Sequence, residues 1–373
     1  MRIAFIKKRF SLYGGAERYL QTLIGELRDS GHEVHILANQ WAFEEGVIFH
    51  RVKTIPFTSF LSILTFDINS GLKIKELGLD CIISFERTTH QDIYRAGDGC
   101  HREWLKIRSQ YEPLYKGASF KINPLHRLLL NLEKKIFTTT RLIIANSKMV
   151  KEQIIRHYAV PEDRIKVIYN GVDLERFHPR NKDLHRNNLR ESLGIPKDVK
   201  VLIFVGSGFG RKGLLTLIKA IALIKEADLY ALVIGKGDTN PYMMLAKELG
   251  IPNKILSLGI QRDIEKFYAV ADLFVLPTLY DPFSNATLEA MASGIAVITT
   301  KNNGVAEIID NGKEGYIMDR LSDPKELAER INHALSNDNM GKMARKKAER
   351  FSIEEIAKTF EREILNLSHG TSL

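Results

Sequence analysis

Val201-Leu202-Ile203-Phe204-Val205-Gly206-Ser207-Gly208-Phe209-Gly210-Arg211-Lys212-Gly213 is the stretch that decides the fold. An apolar, β-branched run enters a glycine-rich turn, and an apolar helical pattern follows it at 213–226. Strand, glycine turn and helix is the repeating unit of a parallel α/β sheet. It is also an anion-binding geometry, because glycines let backbone approach a ligand and a helix N-terminus presents free N–H groups. Two common versions are excluded: Arg211 stands where the dinucleotide fingerprint needs Gly, and Lys212 precedes Gly213 instead of following a Gly as in the Walker A loop. What remains is two adjacent cations at a phosphate-shaped turn, Arg211 able to fork two oxygens and Lys212 acting as a point charge. The helix macrodipole repels cations from an N-terminus, which weighs against surface charges that merely open a helix.

Working outward, strands are predicted at 199–205, 229–234, 254–258, 273–276 and 296–299, with helices at 213–226, 241–249, 263–270, 285–293, 305–310 and 324–336. The N-terminal half repeats the pattern with strands at 2–6, 32–37, 46–52, 80–84, 92–96, 141–145 and 165–169 and a helix near 16–30. At 373 residues the chain exceeds one hydrophobic core, so an α/β architecture of two Rossmann-like domains facing across a cleft is expected, with the ligand at the carboxyl ends of the strands. The polar stretch 177–188 is the candidate linker. An amphipathic stretch at 352–366, after a basic run at 342–350, needs an apolar surface to cover.

With 44% hydrophobic and 27% charged residues, disorder and collagen-like repetition are out. Only Cys81 and Cys100 are present, which rules out a disulfide scaffold and makes a cytosolic protein the simplest reading. The basic N-terminus breaks after one short apolar run and reads as a strand, neither a signal peptide nor a membrane span. The net charge of +9 is uneven: residues 1–170 carry 26 Lys and Arg against 18 Asp and Glu, and residues 171–373 carry 28 against 27. Residues 101–160, with 12 against 4, account for the imbalance and suggest nucleic acid, an anionic membrane surface or a phosphorylated ligand. Within 101–137, aromatics and cations surround a leucine run, which fits either a protein lying on an anionic leaflet or a helical insertion packed on its own domain. The cations and aromatics are not spread along strands as in nucleic-acid-binding sheets.

A second constellation is Tyr280-Asp281-Pro282-Phe283-Ser284-Asn285-Ala286-Thr287-Leu288-Glu289, directly after an apolar strand. Ser284 or Asn285 can cap the helix that follows. Glu289 is the only charge between 286 and 300, so it needs a partner, either a ligand diol such as a ribose or a structural pairing. Asp281 sits near enough to touch another part of the same ligand. Gly14-Gly15 permits close backbone approach at the first βα turn, or is an ordinary tight connection. Asp98 and His101 could serve a proton transfer or a sugar hydroxyl, or be a cap and a surface group. No two Asp stand two apart and His32-Glu33-Val34-His35 lacks the spacing of a zinc helix, so neither a metal nor another cofactor is expected.

G-G-A-E-R at 14–18, N-G-V-D at 170–173, G-R-K-G at 210–213 and D-P-F-S-N-A-T-L-E-A at 281–290 together resemble the retaining GT-B glycosyltransferases of the glycogen-synthase-like, sucrose-synthase-like group, in order along the whole chain. G-S-G-F-G-R-K-G and the basic 101–137 segment resemble, more narrowly, the glucosyltransferases of lipopolysaccharide core assembly, which add glucose from UDP-glucose to inner-core heptose. The resemblance implies an acceptor domain at 1–172 joined by a C-terminal helix, 352–373, that crosses back to it, and a donor domain at 173–351. It implies that Arg211 and Lys212 hold the diphosphate, Glu289 the ribose, and Arg176 with the backbone of Ile260 the nucleobase. Gly14, Gly15, Gly206, Asp281, Pro282, Phe283, Ser284 and Asn285 would complete the donor site, and Glu17, Asp98 and His101 would face the acceptor. Catalysis would fall to Asp98, Arg211, Lys212 and Asp281. Asp281 departs from the family, whose E-x7-E motif has Glu there; the spacing to Glu289 is kept, one methylene shorter. The implied partners are a nucleotide diphosphate sugar, a glycolipid acceptor and an anionic membrane surface through 101–137, with no nucleic acid, at the inner face of the cell membrane. A sugar-nucleotide epimerase of the same fold and a basic nucleic-acid-binding module stay open as alternatives.

Overall fold

The computed structural model describes residues 1–9, 15–41, 46–112, 120, 122–224 and 228–368. The chain divides into two compact units, Met1–Gly171 with Ile353–Leu373, and Val172–Ser352. Among the described residues, the first unit is built on a seven-stranded parallel sheet of β1 (Arg2–Ile6), β2 (Glu33–Ala38), β3 (Val47–Arg51), β4 (Cys81–Ser84), β5 (Ile93–Ala96), β6 (Leu142–Ala145) and β7 (Ile165–Val167). Their order across the sheet is β3-β2-β1-β4-β5-β6-β7. Helices cover both faces of such a sheet, which is why Ile3, Ala4, Phe5 and Ile6 are all fully buried and β1 reads as a continuous apolar run.

Helix Gly15–Asp29 turns Leu20, Leu23, Ile24 and Leu27 onto β1 and β2, the spacing of a single helical face. The C-terminal helix Ile353–Ser368 belongs to this unit and supplies Ile353, Ala357, Phe360 and Ile364 to the same core. This is the apolar surface that the amphipathic pattern requires. Phe360 meets Tyr19 edge-on at 6.2 Å and stacks on Phe85 at 6.1 Å. The basic, aromatic segment forms helices His101–Tyr111 and Pro124–Thr139 between β5 and β6. Leu132, Ile136 and Phe137 pack into a core cluster with Tyr94, Ile143 and Ile154, while Ile122, Arg127, Lys134 and Lys135 stay exposed. No helix among the described residues is long and apolar enough to cross a membrane.

The second unit holds a six-stranded parallel sheet, among the described residues, of β8 (Lys200–Val205), β9 (Leu229–Ile234), β10 (Ile255–Gly259), β11 (Leu273–Leu276), β12 (Ala296–Thr300) and β13 (Gly315–Met318). Its order, β10-β9-β8-β11-β12-β13, reverses direction between β8 and β11. An open α/β sheet leaves a crevice for ligand at the carboxyl ends of two such strands.

Two local expectations are corrected, and two further elements were not anticipated. The stretch 177–188 is not a linker: helix Asn181–Ser192 runs through it and is clamped to its unit by Arg186 and Arg190, which pair with Asp272 at 2.5 and 2.8 Å. Asp183, Asn187, Asn188, Glu191 and Ser192 are exposed, and this polar outer face reads as a loop in sequence. The basic run near 342–350 forms helix Met340–Ala348, anchored by Arg345 Nη1 donating to the carbonyls of Ala292 and Phe177 at 2.8 and 2.9 Å. In place of a helix at 305–310 there is a 3-10 turn, Gly304–Ile308, and the edge strand β13 was not anticipated because it is four residues long and opens on glycine. Truncating Phe360 to Ala should cost about 3–5 kcal/mol, the usual cost of deleting a buried aromatic side chain, read as a lowered urea midpoint. A loss below about 1 kcal/mol would mean that the C-terminal helix is not part of the first core.

Candidate active site

The glycine turn lies where β8 ends. Gly206 and Ser207 lead into a single helical turn, Phe209–Lys212, and Gly213 follows at φ +84° before helix Leu214–Leu223. A side chain at 213 would place its Cβ 2.0 Å from the carbonyl oxygen of Pro277, so only glycine fits. This close approach brings the turn against the segment that leaves β11: Leu279 N–H and Thr278 Oγ1 donate to the Arg211 carbonyl at 2.8 and 3.1 Å. The two cations are therefore at the end of a short turn just before the long helix, not inside its first turn.

Their side chains diverge. Arg211 Nη1 donates to the Tyr280 carbonyl at 2.9 Å. Lys212 runs over Gly206, where an added Cβ would meet its stem at 3.2–3.3 Å, and forms an ion pair with Asp281. Both members of that pair are largely buried, at 12% and 8% side-chain exposure, so each charge depends on the other. The structure thus joins two residues that the sequence placed 69 positions apart.

Asp281 is fixed through its backbone, its N–H donating to Asn302 O at 3.0 Å and its carbonyl accepting from Gly304 N–H at 2.9 Å. Asn303, 1% exposed, locks the rest of the loop: Oδ1 accepts from Ser284 N–H at 3.1 Å and Nδ2 donates to Thr299 Oγ1 at 2.9 Å. Pro282, Phe283 and Ser284 are buried under this loop. Ser284 is the cap of helix Asn285–Ala292, its Oγ accepting from Thr287 N–H at 3.3 Å. The helix carries Glu289, half-buried, and the fully buried Tyr268 places its hydroxyl 3.0 Å from Glu289 Oε2. Burial pushes the Tyr268 phenol well above its ordinary value, and the neighbouring Glu289 charge adds to the rise, so it stays a donor.

Arg176 reaches the same neighbourhood from the other side. It pairs with Glu265 at 2.7 Å, donates to the Arg262 carbonyl at 2.9 Å and covers the Phe177 ring at 5.1 Å. Phe177 meets Tyr268 edge-on at 5.8 Å. Ile260, 68% exposed, leaves the end of β10. Sequence reasoning missed Tyr268 and Asn303. A buried tyrosine in the apolar helix Ile264–Val270 was the available signal for the first, since its hydroxyl needs a partner. Asn303-Gly304 reads only as a turn.

In the first unit, Asp98 follows β5, is exposed, and pairs with Arg87 at 3.1 Å. His101 opens the next helix. Its N–H donates to Glu133 Oε1 at 2.5 Å and its ring lies 3.1 Å from His126 Nδ1. Burial pushes the imidazole down to about 4, with the Arg87 charge adding to the fall, which favours the neutral ring at pH 7. Gly14 lies outside the described residues, and Gly15 and Glu17 are placed by backbone only, in the first turn of helix Gly15–Asp29. No group of three or more His, Cys, Asp or Glu that could hold a metal occurs among the described residues.

Replacing Asn303 by Ala strips the Ser284 and Val305 N–H groups and the Thr299 hydroxyl of a buried partner, which should cost about 1–3 kcal/mol in urea unfolding. A loss within experimental error would show that the Asp281 loop holds its shape without it.

The family model for glycosyl transferases group 1 matches residues 185–351, and that for glycosyltransferase family 4 matches residues 13–176. An uncharacterized glycosyltransferase of Methanocaldococcus jannaschii is 29% identical over 357 residues, covering 90% of each chain. The lipopolysaccharide glucosyltransferase WaaG of Escherichia coli is 24% identical over 352 residues, again 90% of each. The crystal structure of WaaG superposes with a TM-score of 0.84 at 21% identity, over 97% of this chain and 99% of that one. Anabaena HepE in complex with UDP-glucose gives 0.75 at 20% identity, over 98% and 100%. With both units matched by glycosyltransferase models and the whole fold shared with WaaG, the chain belongs to the group 1 glycosyltransferases of the GT-B fold.

Proposed function

We propose that this glycosyltransferase is a retaining, metal-independent hexosyltransferase that moves glucose from UDP-glucose to a glycolipid acceptor such as the inner core of lipopolysaccharide, working from the cytoplasm at the inner face of the cell membrane. The observation that carries the reading is the buried Lys212–Asp281 pair beside Arg211 at the carboxyl ends of β8 and β11. A diphosphate needs preorganised positive charge, and a hexose needs a carboxylate for its hydroxyls; the pair supplies both at one point. Support for the donor comes from HepE, solved with UDP-glucose, and support for the acceptor from WaaG and from a lipopolysaccharide core biosynthesis glycosyltransferase of Rhizobium meliloti, 27% identical over 336 residues.

In this reading the second unit holds the donor and the first the acceptor. Arg211 and Lys212 take the diphosphate, which draws Lys212 from Asp281 and frees that carboxylate for the hexose. Glu289 accepts from the ribose hydroxyls, held in place by Tyr268, and Arg176 with the Ile260 backbone flanks the base. The family resemblance assigns Gly14, Gly15, Gly206, Pro282, Phe283, Ser284 and Asn285 to the donor and Glu17, Asp98 and His101 to the acceptor. The bond from the anomeric carbon to the diphosphate breaks with its electron pair going to the phosphate oxygen. The acceptor hydroxyl attacks from the same face and passes its proton to that oxygen. Positioning and charge stabilisation then do the work of a protein nucleophile.

Calorimetric titration with UDP, ADP and GDP, followed by turnover with the matching glucose donors, tests the donor assignment. One nucleotide, UDP, should bind and lose its affinity in Glu289→Ala, while Lys212→Ala should lower kcat by about 100-fold. Binding of none of them, or near-normal turnover of Lys212→Ala at saturating donor, would overturn it. The exposed Ile122, Arg127, Lys134 and Lys135 motivate the membrane assignment. Sedimentation with liposomes should pellet the protein with anionic lipid and not with neutral lipid; negligible pelleting in both would count against it.

A further inference from the structure

The first sheet reverses its strand order between β1 and β4, and a cavity of about 370 Å³ opens at the carboxyl ends of those two strands. Its size lies within the roughly 300–1,000 Å³ range of small-molecule sites. Lys8 and Arg9, which follow β1, line one side; Glu86, which follows β4, lines another; Ser59, Ser62 and Ile63 come from the start of helix Ser59–Leu77. None of these residues belongs to the donor machinery described above.

The charges in the cavity do not cancel. Glu86 Oε1 accepts from the Lys8 backbone N–H at 3.2 Å and pairs with Lys7 Nζ at 3.7 Å, while burial raises its carboxyl above the ordinary value despite Lys7, so less negative charge is left to offset Lys8 and Arg9. Neither the Lys8 ammonium nor the Arg9 guanidinium has a carboxylate within ion-pair distance among the described residues, and two positive charges therefore face the cavity. Burial holds the Lys8 ammonium below its ordinary value despite the pull of Glu86, and Arg9 pushes the same way, so an entering anion would relieve both groups. The serine hydroxyls offer hydrogen bonds to a polyol, and Ile63 offers an apolar surface for its C–H face.

We propose that this cavity is the acceptor subsite and that the acceptor is a sugar bearing an acidic group, a carboxylate or a phosphate monoester, held by Lys8 and Arg9. The assignment rests on the glycosyl-transfer reading above and deepens it by naming the class of acceptor. A neutral sugar would leave the two cations with only the Glu86 carboxylate, already paired with Lys7, as a counter-charge.

The experiment compares glucose, glucuronate and glucose 6-phosphate by ligand-observed NMR, with UDP at saturation so that Arg211 and Lys212 are occupied. At least one acid should bind about tenfold or more tightly than glucose, and which acid does so identifies the group. The preference should vanish in the Lys8→Gln/Arg9→Gln variant and shrink as salt screens the cations. Equal binding of all three sugars, or a preference that survives both the variant and high salt, would overturn the proposal. The salt series on the unmodified protein stands by itself should the variant fail to fold. Separate titration with UDP keeps the two readings apart: if UDP does not bind, the donor assignment falls, and the sugar comparison is repeated on Arg211→Ala/Lys212→Ala, where an acid preference would still uphold the Lys8 and Arg9 site and its loss would overturn it.

Discussion

Lys212 and Asp281 are buried charges on two neighbouring strands' exits, and the second unit is arranged so that they meet. An ammonium or a carboxylate withdrawn from water costs several kcal/mol unless the other is in place. That requirement explains the rigidity around them. Gly213 lets the turn press against the Pro277 carbonyl, the Arg211 carbonyl is held by Leu279 and Thr278, and Asp281 is clamped between Asn302 and Gly304. A loose loop would let the pair part and leave two uncompensated charges.

The same loop continues into helix Asn285–Ala292, so the pair and Glu289 are parts of one rigid piece. Asn303 and Ser284 fix where the helix starts, and Tyr268 fixes where one oxygen of Glu289 points. The Lys212–Asp281 pair and Glu289 are thereby spaced by hydrogen bonds from the loop backbone and from the buried side chains of Asn303, Ser284 and Tyr268. Preorganisation of this kind is what makes charge stabilisation effective in transfer of a sugar from a diphosphate. The first unit has a different problem, an apolar helix face that its own N-terminal segment leaves uncovered, and the C-terminal helix solves it with Phe360 between Tyr19 and Phe85.

Much of this was readable from the sequence because it is written in local periodicity. Apolar runs such as 201–205 and 273–276 announce strands buried on both faces, and the glycine turn after β8 marks the carboxyl end where ligand charge belongs. Glu289 was legible as the one charge in an apolar stretch. Helix Asn181–Ser192 was not: its exposed face is polar enough to read as a linker, and its attachment depends on Arg186 and Arg190 reaching Asp272, more than 80 residues away. Asn303 failed for the same reason, since an Asn-Gly pair announces a turn and says nothing about which distant amides it will satisfy.

The sequence by itself determined the α/β class and most of the strands, and it set the glycine turn with Arg211 and Lys212 at the end of one strand and Asp281 and Glu289 after another, because each of these follows from residue type and short-range spacing. Only the tertiary structure decided that Lys212 pairs with Asp281, that Tyr268 orients Glu289, that Asp98 answers to Arg87 and that Glu86 pairs with Lys7 where Lys8 and Arg9 line a cavity. The physical reason is that a buried polar group must find its partner wherever the packing brings one, and packing joins residues that no periodicity connects.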